Sequence, residues 1–150
     1  MHPNDDILKI SSLIAFGFAV GGLVVLVINK NILATSVIGI IVQVMMVALM
    51  IWARITFGIR SFHATANTTR GRLVTTGPYK YFRHPIYAAV IYFAWAGVLS
   101  QPTYLTIAAG FCISIGLIIR MVIEEVFLLK AYDEYKEYSK KTVRLIPFIF

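Results

Sequence analysis

Gly77-Pro78-Tyr79-Lys80-Tyr81-Phe82-Arg83-His84-Pro85-Ile86-Tyr87 decides how this chain is read, because of what surrounds it. Long apolar segments lie on both sides, yet the stretch gathers two basic residues, a histidine, three tyrosines and two prolines. Ionisable groups at the edge of a bilayer cost free energy, so by default they mark a functional site. A second polar cluster, Arg120, Glu124 and Glu125, stands at the end of the last apolar stretch. A helical bundle that brings the two clusters together is the architecture these residues ask for.

Composition sets the class. Of the residues 59% are hydrophobic and only 14% charged, and the mean hydropathy is +0.78. These values exclude an ordinary soluble domain and predict an all-α integral membrane protein, with residues 1–150 as one domain. Four segments are expected to span: 10–28, 34–53, 86–99 and 103–121. Roughly 20 apolar residues cross a bilayer, and the third segment is short by that measure. Ser100-Gln101-Pro102 is so tight a link that spans three and four must form an antiparallel hairpin. Gly17, Gly21 and Gly22 offer the first span a surface for close helix approach. That span is too long for the core of a cleaved signal peptide and lacks an Ala-x-Ala site, so it reads as a retained helix. The single Cys112 sits in an apolar run and reads as a small buried residue.

Charge distribution orients the bundle. The first connection holds Lys30 alone and the Ser100–Pro102 turn holds no Lys or Arg. The other thirteen of the fourteen lie in the N-terminal tail, in Arg54–Arg83, or from Arg120 onward. Positive residues stay inside, which predicts both termini and the long middle loop on the cytoplasmic side. The net charge of +7 is then topology and contact with anionic headgroups, and no nucleic-acid partner is expected.

Thr56–Tyr79 reads as a cytoplasmic loop, with a short ribbon expected at Arg72–Thr76. Gly77-Pro78 marks a turn, Pro85 suits the first turn of a helix, and His84 before it is expected to be extended. Glu124–Lys141 reads as an amphipathic helix leaving the membrane. Lys130, Glu134, Glu137 and Lys141 make its solvated face, with Phe127, Leu128, Ala131, Tyr132, Tyr135 and Tyr138 largely opposite. Arg120 and Glu124, four apart, share a face, whereas Glu125 is turned about 100° from Glu124. One histidine in the cluster, with only His63 to join it, makes a poor metal set, and no metal is expected. Neither Cys112 nor Ser61 has the partners of a catalytic nucleophile, and no phosphate-cradling glycine motif is present.

Gly77-Pro78-Tyr79-x-x-x-Arg83-His84-Pro85-x-Tyr87, then Glu124-Glu125, Tyr135-x-x-Tyr138 and Arg144-x-x-Pro147, resembles the isoprenylcysteine carboxyl methyltransferase family. The related membrane phospholipid methyltransferases share much of the pattern. The resemblance covers about Gly71 to Phe148, with catalytic elements at about 71–87 and 120–148. Ala89 stands where members commonly have glycine, and Tyr132-Asp133 replaces the usual Phe-Gly pair. The resemblance implies a helical membrane enzyme that uses S-adenosylmethionine and takes a lipid or lipidated acceptor from the bilayer. By it, Tyr79, His84, Tyr87 and Glu124 line the cofactor side, while Arg120 and Glu125 stand near the methyl-accepting group.

The chemistry of the residues agrees. Arg83 and His84 suit the cofactor's carboxylate, Glu124 its ribose or ammonium, and tyrosine faces, among them Tyr135 and Tyr138, its sulfonium and adenine. A carboxylate acceptor such as an isoprenylcysteine needs mainly positioning, with Arg120 orienting it. An amine acceptor such as a phospholipid headgroup must lose a proton, and Glu125 is then the candidate base. Other assignments use the same residues. The tyrosines fit an aromatic belt, and Arg120 with Glu124 fits a structural ion pair. A non-catalytic membrane subunit with this fold is one alternative. A transporter or channel is another, but the centres of the spans lack ionisable groups. Oligomeric state is left open.

Overall fold

A computed structural model describes residues 3–58 and 73–145, and among these residues the chain is helical with no strand. The main elements are α1 (Pro3–Ile28), α2 (Val37–Phe57), a 3-10 turn (Gly77–Lys80), α3 (Pro85–Ser100), α4 (Tyr104–Ala131) and α5 (Tyr135–Lys141). Helices α1, α2 and α4 are long and apolar enough to cross a membrane. Helix α3 has 16 residues, about 24 Å of helix, short of a hydrocarbon core about 30 Å thick. The expected four-span plan therefore becomes three long helices and one shorter apolar helix. The non-helical Phe82–His84 segment stops α3 from starting earlier.

Local chemistry sets the boundaries. Asp5 and Asp6 occupy the first turn of α1, where carboxylates meet the positive end of the helix dipole. The Ser36 hydroxyl accepts from Gly39 N–H at the start of α2. A Thr103–Thr106 capping box starts α4 directly after the hairpin turn. The expected C-terminal amphipathic helix is divided. Helix α4 runs on to Ala131, Tyr132 turns extended, and α5 begins at Tyr135.

The bundle alternates in direction, with α3 and α4 central, α2 packed on α3 and α1 on α4. Hydrocarbon gives helices no hydrophobic reason to associate, so close contact through small residues does much of the holding. A Cβ at Gly116 stands 2.4 Å from the Ala15 carbonyl oxygen, and one at Gly22 stands 2.7 Å from that of Ala109. Both positions let α1 and α4 touch by backbone. Gly17 and Gly21 face open space instead, so of the three α1 glycines only Gly22 serves the bundle. Cys112, expected to be buried, is exposed and lines a groove between α1 and α4. Large apolar side chains such as Phe18, Ile38, Val44 and Ile55 point outward. Buried Gln43 ties α2 to its neighbours, donating to the Ile32 and Phe93 carbonyls and accepting from Ala34 N–H.

Candidate active site at one end of the bundle

The 77–84 segment is wedged between α2 and the C-terminal segment. Gly77 has φ +58°, and a Cβ there stands 2.5 Å from Thr56 Oγ1, so glycine alone fits without strain. The turn buries Pro78 and Tyr79 and sets the Tyr79 ring 5.4 Å from that of Phe57. Leu73–Thr76 form no strand; Arg72 of the expected ribbon, Gly71, Ser61 and His63 lie outside the described residues. On the other side, Arg83 N–H donates to Val143 O at 2.8 Å and Val143 N–H to Tyr81 O at 3.0 Å. The Tyr138 hydroxyl donates to Tyr79 O at 2.6 Å, and Leu145 inserts into the core. The tail thus folds back onto this end of the bundle as far as Leu145; Pro147 and Phe148 are not among the described residues.

His84 is buried and non-helical as expected, but with ψ 58° it is bent and not extended, and Pro85 opens α3 behind it. This placement aims Arg83 and His84 at Glu125. Arg83 Nη1 lies 3.3 Å and His84 Nε2 3.4 Å from Glu125 Oε1, while Arg144 Nε and Nη2 each lie 3.0 Å from Oε2. The two Arg144 contacts converge on the one oxygen Oε2, a charge-assisted contact shared by two guanidinium nitrogens. The contacts at Oε1 are close but poorly aligned. Arg83 Nε, His84 Nε2, Glu125 Oε1 and Tyr135 Oη are all buried without a hydrogen-bond partner. Buried polar atoms are nearly always paired; His84 Nε2 and Glu125 Oε1 face each other at 3.4 Å, which leaves Arg83 Nε as the buried donor with room for a further polar partner.

Glu124, one residue earlier, enters a different network. It accepts the Tyr87 hydroxyl at 2.6 Å, and Tyr87 Oη in turn accepts Arg120 Nε–H at 2.9 Å. The Tyr87 ring stacks on His84, centroids 5.5 Å apart and planes 9° from parallel, which joins the two networks. The neighbouring tyrosines stay neutral. Burial pushes the Tyr79 phenol up, with the Glu124 carboxylate adding to the effect. Burial and then Glu125 do the same for Tyr135. Burial carries Tyr138 up to about 12, partly opposed by Arg83.

All nine residues singled out from the sequence therefore gather at one end, but in two groups. Arg120, Glu124 and Tyr87 form one; Arg83, His84, Glu125 and Tyr135 form the other, with the Tyr79–Tyr138 pair beside it. Arg120 and Glu125, expected to act together, belong to different groups. Arg144 was not among the nine, although it stands in the quoted Arg144-x-x-Pro147 pattern. Ser12, which accepts from Arg120 Nη1 at 3.4 Å, had only its polarity inside an apolar span to betray it. Among the described residues no three His, Cys, Asp or Glu side chains converge as metal ligands.

The family model for phospholipid methyltransferase matches residues 32–135. That range takes in α2, the 77–84 segment, α3, α4 and both carboxylates; it leaves out α1 and Arg144. No curated protein and no solved structure matches the chain. The matched range covers well over half of the sequence and contains both polar networks apart from those two contributions; the chain belongs to the phospholipid methyltransferase family.

Proposed function

We propose that the protein transfers the methyl group of S-adenosylmethionine to the amine of a membrane-lipid headgroup at this end of the bundle, on the cytoplasmic side. The observation that carries the reading is the pair of adjacent carboxylates with opposite surroundings. Glu125 is buried with its oxygens committed to Arg83, His84 and Arg144. Glu124 is only partly buried and is steered by the Tyr87 hydroxyl.

The donor set fits the cofactor. Arg83 Nε is a buried donor without a hydrogen-bond partner, suited to the carboxylate of its methionine portion, with His84 beside it held against Glu125. The Tyr79 and Tyr87 rings are suited to its sulfonium face. Bound there, S-adenosylmethionine supplies an electrophilic methyl group. The chain's own residues do the rest. An alkylammonium headgroup must lose a proton before it can attack, and Glu124 is the carboxylate placed to accept it. Tyr87 donates to Glu124 and fixes the direction of its oxygens, and Arg120 holds Tyr87. Glu125, with its oxygens already taken by cations, anchors the loop and tail instead of serving as the base. The apolar outer faces of α1 and α2 let a lipid stay in the bilayer while its headgroup reaches the site.

Carboxyl methylation of an isoprenylcysteine is less well supported. Glu124 repels a carboxylate acceptor, and Arg120, needed to orient one, is 4% exposed and engaged with Tyr87 and Ser12. The test is radiolabelled methyl transfer by the protein in nanodiscs, with phosphatidylethanolamine and a farnesylcysteine supplied separately. Methylation of the phospholipid is expected, and E124Q should lower turnover at least about 100-fold while cofactor affinity stays within about threefold. Methylation of farnesylcysteine alone overturns the amine reading. Failure to bind S-adenosylmethionine overturns methyl transfer altogether.

A further inference from the structure

We propose that Ser12 and Phe16 of α1 are positioning residues that clamp Arg120 and, through it and Tyr87, fix the direction of Glu124; the inference rests on the methyl-transfer reading above. Arg120 is 4% exposed, and a buried guanidinium persists only if its charge and donors find partners. Its Nε–H goes to Tyr87 Oη. Its Nη1 reaches Ser12 Oγ at 3.4 Å, and Ser12 is fully buried. Its face lies over the Phe16 ring, 5.0 Å from the centroid. Ser12 and Phe16 are four apart on α1 and share one side of it. The contacts at Gly116 and Gly22 fix how α1 lies along α4, and so place this pair opposite Arg120.

Ring contact constrains the plane of the guanidinium, and Ser12 holds the end far from Tyr87. With both in place, the Nε–H points at the Tyr87 oxygen and the Tyr87 hydrogen points at Glu124. Without them Arg120 swings on its flexible stem, and Tyr87 loses the donor that orients it. Helix α1 lies outside the matched family range, so this clamp belongs to the chain's own first helix. By this inference α1 contributes to turnover as well as to anchoring.

S12A and F16L are compared with wild type in nanodiscs, with F16W as the variant that restores an aromatic face. S12A and F16L should each lower kcat about tenfold, as loss of a contact to a charged group does. KM for the lipid and the affinity for S-adenosylmethionine should stay unchanged, the melting midpoint should fall by no more than a few degrees, and F16W should recover most of the loss. Exchange of the Arg120 Nε proton, followed by nitrogen NMR of arginine-labelled protein, should quicken in S12A and F16L but not in F16W. Unchanged kcat in both variants overturns the proposal. So does a loss of kcat that follows a larger fall in the melting midpoint, or Nε exchange that does not respond. If wild type methylates no acceptor while Nε exchange responds as stated, the clamp stands and the methyl-transfer reading is what fails.

Discussion

Replacing Glu125 by Gln should free the C-terminal segment from the Arg-His-Pro loop while leaving the bundle intact. The carboxylate is the common partner of Arg83, His84 and Arg144, with side-chain exposures of 13%, 4% and 33% against 8% for Glu125 itself. Removing one member of a buried ionic cluster costs about 3–5 kcal/mol, because uncompensated charge is left behind. Two features place this site at the low end. Arg144 reaches solvent and can relax outward, and Gln keeps one oxygen to accept a hydrogen bond. A cost of about 3 kcal/mol corresponds to about a hundredfold change in a local opening equilibrium. The reporters are the amides of Arg83 and Val143, which bond across the junction to Val143 O and Tyr81 O. Hydrogen exchange measures such local opening directly. In E125Q both amides should exchange about a hundredfold faster, while amides in the middle of α4 keep their rates. E124Q, which removes no partner from this junction, should leave both amides alone. Protection in E125Q within about threefold of wild type, or an equal loss in E124Q, refutes the anchoring role.

Gly77→Ala should destabilise the protein by about 1–3 kcal/mol, since it forces an L side chain to φ +58° and against Thr56. In G77A/T56A the clash is relieved and the backbone strain is not, so denaturant unfolding should show partial recovery; full recovery means that crowding alone was at work. Tyr138 gives a pH dependence with a definite sign. Its folded-state pKa of about 12 lies above the ordinary tyrosine value of about 10. Its contribution is therefore complete below about pH 10 and is lost as pH rises towards about 12. Unfolding free energy measured from pH 8 to 11.5 should fall above pH 10 in wild type, and fall less in Y138F; identical profiles count against the Tyr138–Tyr79 bond as a stabilising contact.

Much of this arrangement is legible in the chain, for identifiable reasons. Spans show because hydrocarbon demands unbroken apolar runs, and the tight Ser100–Pro102 link dictates the α3–α4 hairpin. Pro85 announces the start of α3, and Gly77-Pro78 announces the turn before it. The break between α4 and α5 is hidden because the apolar and charged periodicity continues through Tyr132, Asp133 and Glu134 with no glycine or proline to mark it. The choice among the α1 glycines is hidden as well. Gly17, Gly21 and Gly22 look alike in sequence, and only the lie of α1 along α4 puts Gly22 against a backbone carbonyl. Ser12 escapes notice for a similar reason, since its partner Arg120 lies more than a hundred residues away.

The division of work proposed for Glu124 and Glu125 rests on one step along a helix. A turn of about 100° sends the first carboxylate towards α3 and Tyr87, and the second towards the non-helical 82–84 segment and the returning tail. Sequence alone shows that the two cannot share a task, but does not show which task belongs to which. Partners decide it. Two arginines and a histidine converge on Glu125 from separate parts of the chain, so its charge is used to hold those parts together. Glu124 meets a neutral phenol whose oxygen is held by Arg120, which directs the carboxylate without neutralising it. A carboxylate aimed and partly open can accept a proton or bind an ammonium group, and one surrounded by cations cannot readily do either. The His84–Tyr87 stack joins the group around Glu125 to the group around Glu124, so in the proposed division of work the anchoring residue and the working residue share a single support.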